Sequence, residues 1–303
     1  MDFDLSDQQQ ATLASIDSII RRHATPDGDH DDRDLAAALK RAGFLDLFSD
    51  PDAGPLDAEL VVERVSSLLG GLAIGARSLV GPALLGDEVP DRIGLARAGT
   101  PAIIRYGADL DVVIVQDGET ARAISKPRML GPIESRYGFP LAMIELEGGR
   151  SLGAGSGDKL RRWWRVANAA EIVGLATEAL SFTARYLSER RQFGRPLASF
   201  QALQHRLAEA YVYVEGARWA TRYAAWTEAE EQASSIAGGY AQQTARLVSM
   251  DMHQLTGAIG FTSEFALHRW TARLQAVRLE ADGQDQQFTS VATARWPVAN
   301  MGG

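Results

Sequence analysis

Apolar residues return every three or four positions through the first part of the chain. Leu13, Ile16 and Ile20 share one helical face, and Ser6 with Gln9 three residues on forms a capping box ahead of them. A polar stretch rich in Asp and Gly, residues 26–32, breaks the pattern. Leu35, Leu39 and Phe44 then predict a second helix stopped at Gly43. Leu60, Val61, Val65, Leu68 and Leu69 predict a third, ended by Gly70-Gly71. Near Pro90 the period changes. Residues 102–106, 111–116 and 141–146 are short, β-branched and bounded by Gly, Pro or Asp, which predicts strands, with Asp117-Gly118 as a hairpin-type turn. Residues 148–157 are rich in Gly and Ser and read as a linker. From Leu160 the helical period returns in four segments, on Val166 to Leu187, Leu203 to Ala217, Ile236 to Val248 and Phe265 to Leu279. Long amphipathic helices joined by short connections predict an antiparallel bundle. The chain is therefore expected to be mainly α: an N-terminal helical domain (1–89), a small reduced β domain (90–157) and a C-terminal antiparallel four-helix bundle (158–303).

Composition narrows the chemistry. The 303 residues include no Cys, which excludes thiolate nucleophiles, disulfides and iron–sulfur clusters. A formal net charge of −8 argues against nucleic acid or an anionic membrane as a partner of the whole chain. The start, Met1-Asp2-Phe3-Asp4-Leu5, is acidic where a secretory signal is basic, and the most apolar stretch (72–85) is broken by Gly75, Arg77, Gly81 and Pro82. A soluble, cytoplasmic protein is expected. The five His are scattered, with no pair at i, i+4, and read as ordinary surface or core residues rather than metal ligands.

One element stands out. Between the first two bundle helices runs Ser188-Glu189-Arg190-Arg191-Gln192-Phe193-Gly194-Arg195-Pro196-Leu197-Ala198-Ser199-Phe200-Gln201. Its plain reading is a basic helix end followed by a Gly-Arg-Pro stop. Yet it places three Arg, an amide and an aromatic around one turn. A guanidinium fork matches phosphate oxygens and an amide reads a base or ribose edge, so a dinucleotide-phosphate grip is the functional alternative.

That element resembles the signature of the acyl-CoA dehydrogenase family. So does Gln254-Leu255-Thr256-Gly257-Ala258-Ile259-Gly260-Phe261, which is similar to the family's Gln-x-x-Gly-Gly-x-Gly-aromatic run, and so does the opening Leu5-Ser6-Asp7-Gln8-Gln9. The resemblance implies an oxidoreductase of lipid or steroid catabolism, with FAD held between subunits and hydride passing from an acyl-CoA thioester to the flavin. Carried over by position, it implies that Arg190 holds the pyrophosphate. Gln192 and Phe193 beside Gly194 approach through side chain or backbone, Gln201 follows in the same motif, and Gln254 with Gly257 sits against the adenosine. Ala258 departs from the family's second Gly: the extra methyl is either tolerated or marks a degraded half-site.

The family's chemistry also needs a carboxylate to take the α-proton, and here the resemblance weakens. Aligning on Gly283 puts Asp282 at the base position, ungapped counting from Arg269 points to Ala281, and Glu280 is the rival. An Asp carboxylate would sit about 1 Å back from that of a Glu, enough to cost roughly 100-fold. The family's alternative base, a Glu before the arginine that matches Arg165, is Trp164 here, and Trp163-Trp164 read as packing anchors. The Thr-Glu-Pro-like run that holds the flavin ring in full-length members is missing from the short β segment. These departures imply a homologous partner subunit, as in the family's short members that work as α2β2 heterotetramers on bulky steroid-derived CoA thioesters, with an electron-transfer flavoprotein as acceptor. A catalytically silent structural subunit, or another flavin reaction such as oxygenation, is the alternative.

Overall fold

The computed structural model describes residues 4–23, 33–68, 73–86, 88–99 and 101–296; the break expected at 26–32 and the Gly70-Gly71 stop lie outside them. Helix α1 (Asp7–His23) starts as its sequence dictates: Ser6 N donates to Gln9 Oε1 at 3.1 Å and Gln9 N to Ser6 Oγ at 3.2 Å. Helix α2 (Arg33–Arg41) stops before Gly43, whose φ of +79° a residue without Cβ adopts freely. Helix α3 (Pro55–Ser66) follows, then a π-helical turn (Ala76–Val80) that runs into α4 (Gly81–Leu85).

The β unit is two small sheets. Strands β1 (Ile93–Arg97), β3 (Val112–Asp117), β4 (Thr120–Ser125) and β7 (Arg150–Ser151) form one in the order β1-β3-β4-β7, with β1 parallel to β3. Strands β2 (Ala102–Arg105), β5 (Met129–Ile133) and β6 (Leu141–Ile144) form the other, antiparallel and ordered β2-β6-β5. Val113, Val115 and Ile124 of the first pack on Ile104, Ala142 and Ile144 of the second, so the alternation of β-branched residues fills one interlayer core.

The stretch read as a linker is no free connection. Arg150 and Ser151 pair with β4, and α5 (Ser156–Glu189) begins five residues later. Ala121 N donates to Ser156 Oγ at 2.7 Å, and a Cβ on Gly157 would lie 2.4 Å from Gly118 O. The glycines there allow a close helix–turn contact, not mobility.

Helix α5 is buried along most of its 34 residues and is the mast of the molecule. Against it pack α3, α6 (Gln201–Trp226), α7 (Glu231–Thr256) and α8 (Leu267–Val277). Where α3 crosses α5, a Cβ on Gly174 would meet Glu63 O at 2.2 Å, so glycine sets that spacing. A last helix, α9 (Gln284–Arg295), was not expected, because its sequence carries no apolar period; it docks on α7 by placing Gln287 and Phe288 against Gly238 and Gly239. A two-strand hairpin, β8 (Arg191–Gln192) and β9 (Arg195–Pro196), joins α5 to α6. The residues named as candidates fall beside two places along α5, one at its C-terminal end and one in its first half.

Candidate functional site

The signature around Arg190 builds the hairpin. Phe193 and Gly194 turn it with φ of +54° and +79°, the left-handed pair of a two-residue loop, and Leu197 N donates to Arg190 O at 2.8 Å to close it. The turn leaves Phe193 88 % exposed. Arg195 lies over the Phe200 ring at 3.9 Å, stiffening the base of the hairpin. Arg190, Gln192, Gln201 and Gln254 are all exposed, and their side chains make no hydrogen bond or ion pair with the described residues.

Antiparallel packing brings the second motif to the same end. The start of α6 lies beside the end of α7, with Arg206 and Asp251 paired at 2.5 Å. Gly257 ends α7 at φ +66° with open space where a Cβ would be, and a 3-10 turn (Gly257–Phe261) follows. There Phe261, 74 % exposed, stacks on His253 with ring centroids 4.7 Å apart. Burial lowers the His253 pKa, which favours the neutral ring. The two motifs thus form one bundle-end surface whose amides and Arg190 guanidinium are unpaired among the described residues and whose Phe193 and Phe261 rings are largely exposed.

The second place is a cavity of about 240 Å³ between the β unit and the middle of α5. Ile93, Leu95, Ile104, Trp164 and Ala167 line it with apolar surface, and the 279–281 turn forms its far wall. Its charged floor is a single motif. Arg105 Nε lies 2.7 Å from Glu280 Oε1 and its Nη2 2.9 Å from Glu280 Oε2, while the same Nη2 lies 2.8 Å from Glu171 Oε2. Gly75 N donates to Glu171 Oε1 at 3.3 Å, and a Cβ on Gly75 would come within 2.8 Å of that oxygen. Burial raises the Glu280 pKa and the nearby Glu171 adds to it, outweighing Arg105 and a hydrogen bond with Trp164. Arg105 is also raised: burial opposes its charge, but the two carboxylates prevail.

Asp282, expected as the base, does not line this cavity. Its side chain is 7 % exposed and is spent on two guanidiniums, accepting from Arg97 at one oxygen and from Arg165 Nη2 at 3.0 Å at the other. Arg165 goes on to Glu231 at 2.8 Å and Ser235 Oγ at 2.7 Å. Burial pushes the Glu231 carboxyl up, yet Arg165 and Arg161 hold it below the usual value. A base must reach its substrate; Asp282, away from the cavity lining, ties the β unit to the bundle. Ala281, the third candidate, has no chemistry to offer. Trp163 is a buried anchor as read, whereas Trp164 lines the cavity. Sequence reasoning missed Arg97, Arg105 and Glu171. Glu171 had a signal: an acid in the apolar run Ala169-Ala170-Glu171-Ile172-Val173 is rarely buried without a partner.

Among the described residues no group of three His, Asp or Glu could hold a metal ion, and no helix is long and apolar enough to cross a membrane. Residues 161–293 match the family model described as acyl-CoA dehydrogenase, C-terminal domain. The acyl-CoA dehydrogenase IpdE2 of Mycolicibacterium smegmatis is 25 % identical over 297 residues, spanning 89 % of this chain and 93 % of that protein. The short-chain-specific acyl-CoA dehydrogenase of Megasphaera elsdenii is 28 % identical over 181 residues, 56 % of this chain and 43 % of that one. Among solved structures, the ChsE4-ChsE5 complex from Mycobacterium tuberculosis superposes with a TM-score of 0.82 at 20 % identity, over 99 % of this chain and 100 % of the matched one, and so shares the fold.

Proposed function

Because this chain belongs to the acyl-CoA dehydrogenase family, we propose that it is a subunit of an FAD-dependent enzyme that introduces an α,β double bond into an acyl-CoA thioester, and that its bundle end grips the adenosine-diphosphate part of a cofactor shared with a homologous subunit. The observation that carries this reading is the bundle end itself. An exposed guanidinium at Arg190 and three exposed amides (Gln192, Gln201, Gln254), whose side chains make no hydrogen bond or ion pair among the described residues, share one surface with Phe193, which is 88 % exposed and meets the Phe200 ring edge-on. A diphosphate flanked by a ribose and a purine asks for that donor set: a fork for phosphate oxygens, amides for polar edges and an aromatic face for the base. Gly257, with open space at its Cα, leaves the backbone approachable.

This grip cannot serve the cavity of its own chain closely. Glu171 and Glu189 are eighteen residues apart on α5, about 27 Å along a straight helix. The cavity, at about 240 Å³, is also below the roughly 300–1,000 Å³ of pockets that enclose a whole ligand. Both facts favour a site completed by a second chain. FAD, when bound, supplies acceptance of the hydride leaving the β-carbon. Arg190 would neutralise the diphosphate, and Gln254 with Gly257 would flank the adenosine. Glu280, facing the cavity with its proton affinity raised by burial, is better suited among the described residues to take an α-proton than Asp282, which does not line it. A bulky, steroid-derived acyl group, an α2β2 assembly and an electron-transfer flavoprotein acceptor complete the proposal.

The chain co-purified with a homologous subunit is expected to carry flavin, and Arg190→Ala to lose it. Full flavin occupancy in that variant overturns the grip. A second reading, a structural subunit whose partner supplies all the chemistry, is favoured by the engagement of both Asp282 and Glu280 with arginines. Turnover unchanged by Glu280→Gln in the complex would select it.

A further inference from the structure

Arg105 carries one positive charge and faces two carboxyls. It holds Glu280 through both of its oxygens and Glu171 through one, and all three side chains are largely withdrawn from water. A lone arginine bound to a buried glutamate in this bidentate way would stabilise the carboxylate and make it a poor base. The second carboxylate changes that balance. Glu171 lies deeper than Glu280, with 7 % of its side chain exposed against 26 %, and is fixed from behind by the Gly75 amide. The absence of a Cβ at Gly75 leaves room for the Glu171 oxygen beside the backbone.

We infer that Glu171 is a positioning residue for Glu280: by occupying Arg105 from the helix side, it draws the guanidinium charge away from Glu280 and leaves that carboxyl able to accept a proton from the cavity. This rests on the reading of Glu280 as the proton-accepting carboxylate of this chain. The other groups around the pair keep their own partners. From β1, Arg97 pairs with Asp282, and from α5, Arg165 pairs with Asp282 and Glu231. Tyr106 at the end of β2 acts on Arg105, and Arg273 of α8, beside Glu171, donates to Gly138 O at 2.9 Å. From α7, Gln242 donates to Glu280 O at 2.9 Å, fixing its backbone, and the Trp164 indole meets its side chain. Among the described residues, Glu171 is the second carboxylate that pairs with Arg105.

The sign follows from linkage. A carboxyl whose folded pKa is raised destabilises the fold once the unfolded chain can ionise, so its contribution is lost as pH rises above about 4.3. Thermal unfolding of the full chain across that range, wild type against Glu280→Gln, is expected to show a gap that moves against the wild type as pH rises. In the Glu171→Gln background Arg105 belongs to Glu280 alone, and that drift should vanish or change sign; Glu171→Asp, which keeps the charge, should retain it. In the flavin-loaded complex, Glu171→Gln should move the acid limb of kcat/KM down by about one pH unit, a tenfold change in proton affinity. A gap that is flat with pH, or a drift unchanged by Glu171→Gln, overturns the inference. Neither outcome depends on flavin retention in Arg190→Ala, so failure of the nucleotide grip is read separately.

Discussion

Replacing Asp282 tests whether it is a strut or a reactive group. The residue sits at φ +76°, a left-handed conformation that Asn and Gly adopt more readily than other side chains, and Gln242 donates to its carbonyl at 2.9 Å. Asp282→Asn therefore keeps the turn and removes only the charge between Arg97 and Arg165. Deleting one partner of a buried ion pair costs about 3–5 kcal/mol when the other is left alone. Here the loss is smaller, because Arg165 retains Glu231 and Ser235, and the Arg97 side chain is 47 % exposed. About 2 kcal/mol is the expected destabilisation, a drop of roughly 4 °C in Tm for a chain of this size. Asp282→Ala adds left-handed strain of about 1 kcal/mol, which Asp282→Gly relieves. Denaturant melts of the three variants measure these terms, and turnover of the reconstituted complex is expected to fall by less than tenfold in Asp282→Asn. A variant as stable as the wild type whose turnover drops roughly 100-fold or more would refute the reasoning and restore Asp282 as a base.

Two further predictions concern the frame around these sites. Gly174→Ala should destabilise the fold by about 1–3 kcal/mol, since overpacking against Glu63 O at 2.2 Å outweighs the better helix propensity of Ala; a stabilised variant in thermal melts would show that the α3–α5 crossing yields. His253 has a lowered pKa, so protons it refuses are taken up by the unfolded chain, and stability should fall as pH drops below about 6.5 relative to His253→Gln; parallel curves for the two proteins would contradict this.

Periodicity made the helices of the bundle legible because each has an inner face, and turn chemistry made Asp117-Gly118 legible as the β3–β4 turn. Helix α9 escaped because its contact with α7 is made by Gln287 and Phe288 fitting glycines on the neighbouring helix, a complementarity that no single-strand pattern displays. Strand β7 escaped because two residues, Arg150 and Ser151, are too few to alternate. The bundle-end residues were readable as a motif since they are contiguous in sequence. The cavity floor was not: Arg105, Glu171 and Glu280 come from a strand, a helix and a turn, and only folding reveals that one guanidinium serves two acids. Proximity in sequence to Gly283 favoured Asp282, whereas the side chain's surroundings decide its role.

Helix α5 acts as a ruler. It fixes both the distance and the angular bearing between the Glu171 acid and the Arg190 hairpin, and no loop lies between them to absorb a change. Inserting or deleting one residue there would swing one end about 100° around the axis relative to the other and slide it about 1.5 Å. Exposed positions along this stretch can therefore change letter while its length stays frozen, whereas buried ones such as Gly174 are held in both.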